Sequence, residues 1–407
     1  MPALRIPRPS KFQNLIEVVP GIYLDYKLLK YLLEYWNESE LEKIFKSLKE
    51  PPRRYYVRVN TLVTSPEDVV KRLREKGYDV HFDEHLPEAI WFKVEGPFKI
   101  PSARKIVVVD KFAAESVYVG AHVYAPGIIK ARGIKKGDEV TVVAPNGEEI
   151  AYGIAEMSED EIRKRKRGLA VRVQVSKYKA PSLRELEEYK SGLIYDQSIA
   201  AQWVAHVLQP CPGEIVVDMN CAPGGKLTHI VQLSKAKARV YAFDRSIPKV
   251  TETIEHLKRL RMYHVVDIQL HDSRYLDVDF SRLVGKVDKI LIDPPCTSLG
   301  VRPKVIDIKL YEDVEITYKY QIQFLKPAYK LLRSGGVLVY STCTLTPLEN
   351  EHVVEEALKL GFDIEYVDIP YKCPGVTFHE WGYMVARFHP HVHEYAPGFF
   401  IAKLVKK

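Results

Sequence analysis

Residues 289–300 read KILIDPPCTSLG. The apolar run Lys289-Ile290-Leu291-Ile292 reads as a buried strand. The Asp-Pro-Pro that follows must end it, because each proline lacks the N–H that a ladder needs. Asp293 and Cys296 therefore belong to a loop at the carboxyl end of a strand, where open α/β sheets place their ligands. The plainer alternative is a buried thiol in a proline-rich turn.

Outward from this stretch, strands and helices alternate. Strand patterns occupy 214–218, 238–243, 266–270, 288–292 and 336–340, separated by helical patterns such as 248–261 and 316–332. This alternation predicts a parallel, doubly wound α/β sheet of the Rossmann-like kind, with helices on both faces. Ala180-Pro181-Ser182 reads as a linker into this domain, which takes residues 179–407.

Several strand ends carry chemistry. After Asp218 and Met219 comes Asn220-Cys221-Ala222-Pro223-Gly224-Gly225-Lys226, whose paired glycines permit close backbone approach just before a helix. The spacing is neither GxGxxG nor GxxxxGK[ST], which excludes the usual dinucleotide and P-loop readings. Asp244 ends the next strand, where an acid accepts from ribose hydroxyls. Asp272 follows a third strand, where a carboxylate can accept from an adenine amino group. Each acid alone is most simply a helix N-cap. Asp218, Asp244 and Asp272 in successive βα units, followed by Asp293, point instead to a nucleoside-cofactor site. A second cysteine, Cys343, stands in Tyr340-Ser341-Thr342-Cys343-Thr344 at another strand end.

Upstream, the texture differs. Residues 104–178 alternate short strands with glycine turns, and Asn146-Gly147 is a strong hairpin signal. VVVDKFAAESVYVGAHVYAPGII, IKKGDEVTVVAPNGEEIAYGIA and RGLAVRV follow the order of the PUA domain, an RNA-binding fold, which this β-barrel-like segment resembles. Arg163-Lys164-Arg165-Lys166-Arg167 beside it is either a solvated face or a phosphate contact. Residues 1–103 form an N-terminal module, with 11–50 expected to be helical. A strand at Arg53–Asn60, a helix opening at Ser65-Pro66 and ending near Gly77, and strands at 78–82 and 89–94 complete a small β-α-β-β unit. The interleaved basic and aromatic residues at 53–58 could meet RNA, but composition favours a strand with one solvated face.

Composition limits the classes. With 407 residues, two or three domains are expected at about 150 residues each. The balance of 60 basic and 53 acidic residues gives +7, which is compatible with a polyanion partner without requiring one. Five cysteines with no CxxC pair disfavour a disulfide framework and a structural zinc site, and point to a reducing, cytoplasmic home. No apolar stretch reaches membrane-spanning length and no signal-peptide core is present.

Taken in order, GEIVVDMNCAPGGKLTH, VYAFDRS, HDSR, ILIDPPCTSLG, GGVLVYSTCTLTPLENE and GFFIAKL resemble the motif series of the Sun family of RNA cytosine-C5 methyltransferases, over roughly residues 180–407. RRYYVRVNTL resembles that family's N-terminal RNA-recognition module. The PUA insert resembles the archaeal-type subfamily that acts on the 3′ end of tRNA acceptor stems. The resemblance implies S-adenosyl-L-methionine as cofactor and tRNA as partner, held by the PUA domain and N-terminal module. It also implies 5-methylcytosine as product, at the acceptor-stem cytosine just 5′ of the discriminator base. By resemblance Cys343 is the nucleophile, Cys296 assists release, and Asp293 holds the base and contributes to the cofactor site. Asn220 to Lys226, Asp244, Asp272 and, more weakly, Lys249 map onto cofactor contacts. A monomer is expected.

Two departures stand out. Ala396-Pro397-Gly398-Phe399 replaces the common Asp-Gly before Phe-Phe, and Ser298 follows Thr297 where Cys-Ser is common. His389, His391 and His393 are read as surface or RNA-facing side chains and not as metal ligands; Cys211 and Cys373 are read as packing residues. The competing readings are an rRNA methyltransferase, a DNA cytosine methyltransferase attacking through Cys296, and a catalytically dead RNA-binding scaffold.

Overall fold

In the computed structural model the strand Val287–Ile292 lies between Ile215–Asp218 and Leu332–Thr342, parallel to both. The sheet continues through Arg239–Asp244 to Val266–Leu270 on one side. On the other side Phe399–Lys406 adds antiparallel, followed by Phe362–Glu365. Strand order reverses between Ile215–Asp218 and Val287–Ile292, so Asp218 and Asp293 flank the switch-point crevice where such sheets bind ligands.

Period-two alternation explains the double winding. Val216, Leu291, Val339 and Ile401 enter one core, while Val217, Ile290, Leu338 and Phe400 enter the other. Helices Ile199–Leu208 and Gly225–Leu233 cover the first face, and Leu325–Leu331 and Glu351–Lys359 the second. Burying a Val, Leu, Ile or Phe side chain contributes about 1.5–3 kcal/mol, and both faces must be covered to collect it.

The structure describes residues 14–376 and 379–407. They group into two compact units that do not follow linear order. One holds the doubly wound sheet together with Arg54–Lys93. In it, Arg54–Val59, Ala89–Lys93 and Val80–Phe82 form a second sheet, completed by Ile194–Asp196 from beyond the linker. Helix Pro66–Glu75 opens on the Ser65 cap with Pro66 in its first turn, as expected, and buries Val69, Val70 and Leu73.

The other unit contains the described residues up to Arg53, Val94–Ser182 and Arg302–Tyr311. Its six-stranded sheet includes the hairpin Glu139–Val143/Glu149–Ala155 around Asn146-Gly147. The expectation of helix over 11–50 is corrected here. Leu15–Val19 and Ile22–Asp25 form a hairpin, and among the described residues of this stretch only Tyr26–Leu32 and Glu38–Lys49 are helical; residues 11–13 lie outside the described residues. The hairpin's third strand is Asp307–Lys309, far downstream, which no local pattern announces. No helix among the described residues is long and apolar enough to cross a membrane.

Candidate active site

Strand Ile215–Asp218 delivers the glycine loop. Asp218 is buried and accepts from Asn220 N at 3.2 Å, while Ser273 Oγ donates to Met219 O at 2.7 Å. Burial pushes the Asp218 carboxyl up to about 7. Gly224, at φ +102°, turns the chain into helix Gly225–Leu233, and a Cβ there would meet Thr253 at 3.1 Å. The loop is gripped from beneath by Arg58. Its guanidinium donates to Gly225 O at 2.7 Å, Gln197 Oε1 at 2.6 Å and Thr228 Oγ1 at 2.7 Å. Arg58 is fully buried, and burial lowers its guanidinium to about 9. The basic-aromatic strand thus turns this arginine inward, away from solvent.

Two cavities flank this loop. One, of about 220 Å³, is lined by Asn220–Lys226, Asp218 and Asp293 together with Tyr195, Gln197 and Ser198. The other, of about 260 Å³, is lined by Asp244, Lys249, Asp272, Asn220, Tyr320 and Phe324 among others. Every expected cofactor contact therefore borders one cavity or the other. Asp244 accepts from Ser246 N at 2.9 Å, and Lys249 is exposed. Both Asp272 oxygens are engaged by Arg274, which holds that carboxyl below the usual range. Asn220 lines both spaces, and its Oδ1 is buried without a hydrogen-bond partner. An orphaned acceptor, a glycine cradle and ribose-type acids suit a nucleoside with an attached amino-acid chain.

The thiols converge at the adjoining strand ends. Cys296 Sγ lies 3.4 Å from Cys343 Sγ, and Ser298 Oγ lies 3.6 Å from Cys343 Sγ. Ser298 adopts a left-handed φ of 55°. The two loops are stitched by backbone bonds: Gly300 N donates to Cys343 O at 2.9 Å, and Gly398 N to Gly300 O at 2.8 Å. A Cβ on Gly300 would lie 2.2 Å from Gly398 O, so the stitch requires glycine. The Gly398 of the departing Ala-Pro-Gly-Phe sequence is thus a structural part of the rim.

Charge is arranged around the pair. Asp293 takes Lys226 Nζ on Oδ2 at 2.7 Å and Ser341 Oγ on Oδ1 at 2.9 Å. Burial alone would lower Lys226, but the Asp293 charge and hydrogen bond offset this and hold the ammonium above its ordinary value. The Cys343 thiol is brought down to about 7, first by its hydrogen bond with Cys296, against burial, and then by Ser298 and the Lys226 charge. Cys296 moves the opposite way, well up, through that same bond and through burial. One thiol is poised to ionise and its neighbour to keep its proton.

Other expectations are corrected. His389 and His393 are buried, so these two are not surface histidines, whereas His391 is only half-buried; His393 Nε2 contacts Tyr371 O at 2.5 Å. Cys211 is exposed and Cys373 only half-buried. Arg163 and Arg165 of the basic run pair with Asp160 and Glu161 on helix Glu159–Arg165 and stay exposed. Sequence reasoning missed Arg58, Tyr195, Gln197, Tyr320 and Glu349. It also missed a buried cluster in which Glu88 Oε1 accepts from His206 Nε2 at 2.5 Å and His229 Nε2 at 2.7 Å. Both contacts have hydrogen-bond length, and His229 Nδ1 lacks the second-shell partner a metal-bound imidazole normally has. We read the cluster as a buried Glu–His network.

The family described as 16S rRNA methyltransferase RsmB/F matches residues 205–405, the PUA domain 105–176, and the RsmF/B-like ferredoxin-like domain 27–99. The chain is 41% identical to the tRNA (cytosine(72)-C(5))-methyltransferase of Pyrococcus horikoshii, over 97% of this chain and 98% of that protein. It is 31% identical to human tRNA (cytosine(72)-C(5))-methyltransferase NSUN6, over 79% of this chain and 75% of that one. The crystal structure of NSun6 from Pyrococcus horikoshii with SFG, an S-adenosylmethionine analogue, superposes with a TM-score of 0.86 over 94% of this chain and 98% of that chain.

Proposed function

This chain belongs to the RsmB/F methyltransferase family, and from that premise we propose that it methylates C5 of a cytosine in tRNA, with S-adenosylmethionine as methyl donor. The target is the acceptor-stem cytosine just 5′ of the discriminator base, the position 72 in the names of its relatives. The observation that carries the reading is the pair of strand-end thiols, 3.4 Å apart, beside the Lys226–Asp293 ion pair.

C5 of cytosine is a poor nucleophile. Addition of the Cys343 thiolate to C6 breaks the C5=C6 π bond and makes C5 electron-rich. Asp293 holds the N3/N4 edge, where the adduct takes up a proton. S-adenosylmethionine, when bound, supplies the electrophilic methyl group that C5 takes. Water takes the C5 proton, the C–H pair re-forms C5=C6 and the C6–S bond breaks; the S–H of Cys296, 3.4 Å from Cys343 Sγ, donates to the departing sulfur and so assists its return as thiolate, while the proton taken up at N3 goes back to solvent. Asn220 to Lys226, Asp244, Lys249, Asp272 and Asp293 would hold the cofactor, with Lys226 also fixing Asp293. The base must be swung out of its stack to reach the thiols.

The segments 1–103, 104–178 and 179–407 serve as N-terminal recognition module, PUA domain and catalytic domain. The first two grip the acceptor stem and 3′ end, a reading supported by the PUA and ferredoxin-like matches. We propose a cytoplasmic monomer as the working species.

Bisulfite sequencing of tRNA transcripts after incubation with enzyme and S-adenosylmethionine tests the proposal. Modification at cytosine 72, lost when that base is changed, is the expected result. Methylation of duplex DNA in preference to tRNA, or none of either, would overturn it.

A further inference from the structure

Glu349 does not face either cavity, yet it touches both cysteine loops. Its carboxylate is fully buried. Oε1 accepts from Thr297 N at 2.8 Å and Gln321 Nε2 at 3.2 Å. Oε2 accepts from Thr297 Oγ1 at 2.6 Å, Thr346 Oγ1 at 2.5 Å and Thr344 Oγ1 at 3.3 Å. Thr297 follows Cys296, and Thr344 follows Cys343. Gln321 Nε2 also donates to Pro295 O at 3.0 Å, so the residue before Cys296 is held by the same knot. Tyr340 OH donates to Glu349 O at 2.7 Å, which pins the knot to the strand that carries Cys343.

A buried carboxylate surrounded only by donors is expensive to assemble unless all of them are engaged at once. Here every donor belongs to one of the two thiol loops or to a residue bracing them. Moving either loop by an ångström would strand part of a buried charge. The knot therefore sets the spacing of two sulfurs that no covalent bond joins. Glu349 also adds negative charge on the Cys296 side, after the larger effects of the Cys343 hydrogen bond and burial, and so helps that thiol keep its proton.

We propose that Glu349 is a positioning residue that holds the Cys296 and Cys343 loops in register and so keeps Cys296 within hydrogen-bond reach of the Cys343 nucleophile. This rests on the assignment of the two cysteines in the proposed function. Thiol reactivity can nevertheless be read without any RNA, so failure of one need not be failure of the other.

The experiment measures iodoacetamide alkylation of each cysteine by mass spectrometry, from pH 5.5 to 9, in the full chain and in Glu349→Gln. In the unaltered chain Cys343 reacts first. In Glu349→Gln the onset of Cys296 alkylation moves to lower pH, and the preference for Cys343 at pH 7 falls by about tenfold. Single-turnover methylation of tRNA falls roughly 10- to 100-fold, while KM for tRNA and for S-adenosylmethionine stays within about threefold. An unchanged alkylation preference, or KM for the cofactor rising in step with lost turnover, would overturn the proposal. If Glu349→Gln fails to fold, Thr297→Val and Thr344→Val each remove one arm of the knot, and their preference must fall in the same direction. If the unaltered chain shows the alkylation order but methylates no tRNA, the functional reading fails and the positioning role stands.

Discussion

Cys296 Sγ and Cys343 Sγ lie 3.4 Å apart, on loops that leave two adjacent parallel strands. The division of labour between them is directly testable. Cys343→Ala should lower methyl transfer by on the order of 10³-fold or more, as for other deleted nucleophiles. Cys296→Ala should keep attack but stall release, leaving a protein–tRNA adduct that survives denaturing electrophoresis. An adduct in Cys343→Ala, or none in Cys296→Ala, would reverse the roles.

The Cys343 thiol, brought down to about 7, should ionise across the neutral range. Its alkylation rate should rise between pH 6 and 8 with a midpoint near that value. Lys226 favours the thiolate, so Lys226→Met should move the midpoint up by roughly one unit. A midpoint that stays put would remove Lys226 from the electrostatics of the nucleophile.

Arg58 reaches the Asn220–Lys226 loop from the second sheet and donates to Gly225 O, Gln197 and Thr228. Arg58→Met would orphan these buried acceptors, at about 1–3 kcal/mol of stability. S-adenosylmethionine binding, followed by calorimetry, should weaken about tenfold. Undiminished cofactor affinity in a folded variant would make Arg58 a purely structural group.

Burial, followed by the nearby Arg58 charge, pushes His229 down to about 3. In the unfolded chain this imidazole takes a proton below about 6.5. The native state refuses it, so stability falls as pH drops from about 6.5 towards 3. Burial alone would raise the Glu88 carboxyl, but the hydrogen bonds from His206 and His229 hold it well below the carboxylate range. That contribution is present above the unfolded carboxyl value and is lost on acidification, with the same sign. Melting temperature should therefore decline from pH 7 to 4.5, less steeply in His229→Gln. Parallel curves for the two proteins would contradict this origin.

Residues 163–167 offer exposed cationic side chains, two of them tied to acids of their own helix. If the run meets the tRNA backbone, replacing Lys164, Lys166 and Arg167 by Ala should weaken tRNA binding and flatten its salt dependence, by up to about one unit of log–log slope per lost phosphate contact. Cofactor binding should not change. An unaltered salt slope would leave the run as a solvated face.

The strand ends were legible in the chain because their signals are local: proline stops a ladder, glycine admits a tight loop, and period-two apolar runs mark buried strands. Hence Asp293, Cys296, Cys343, the Asn220–Lys226 loop and the doubly wound sheet could all be read in advance. Tertiary structure alone decided which groups those ends meet. Arg58 looked like a surface cation, and its buried partners lie 139 to 170 positions away. Glu349 carries no signal of its own in the chain; only the fold lets its carboxylate gather donors from both thiol loops. The hairpin at 15–25, the inward His389 and His393, and the Glu88–His206–His229 network escaped for the same reason. A buried polar group is explained by its partners, and partners distant in sequence are brought together only by folding.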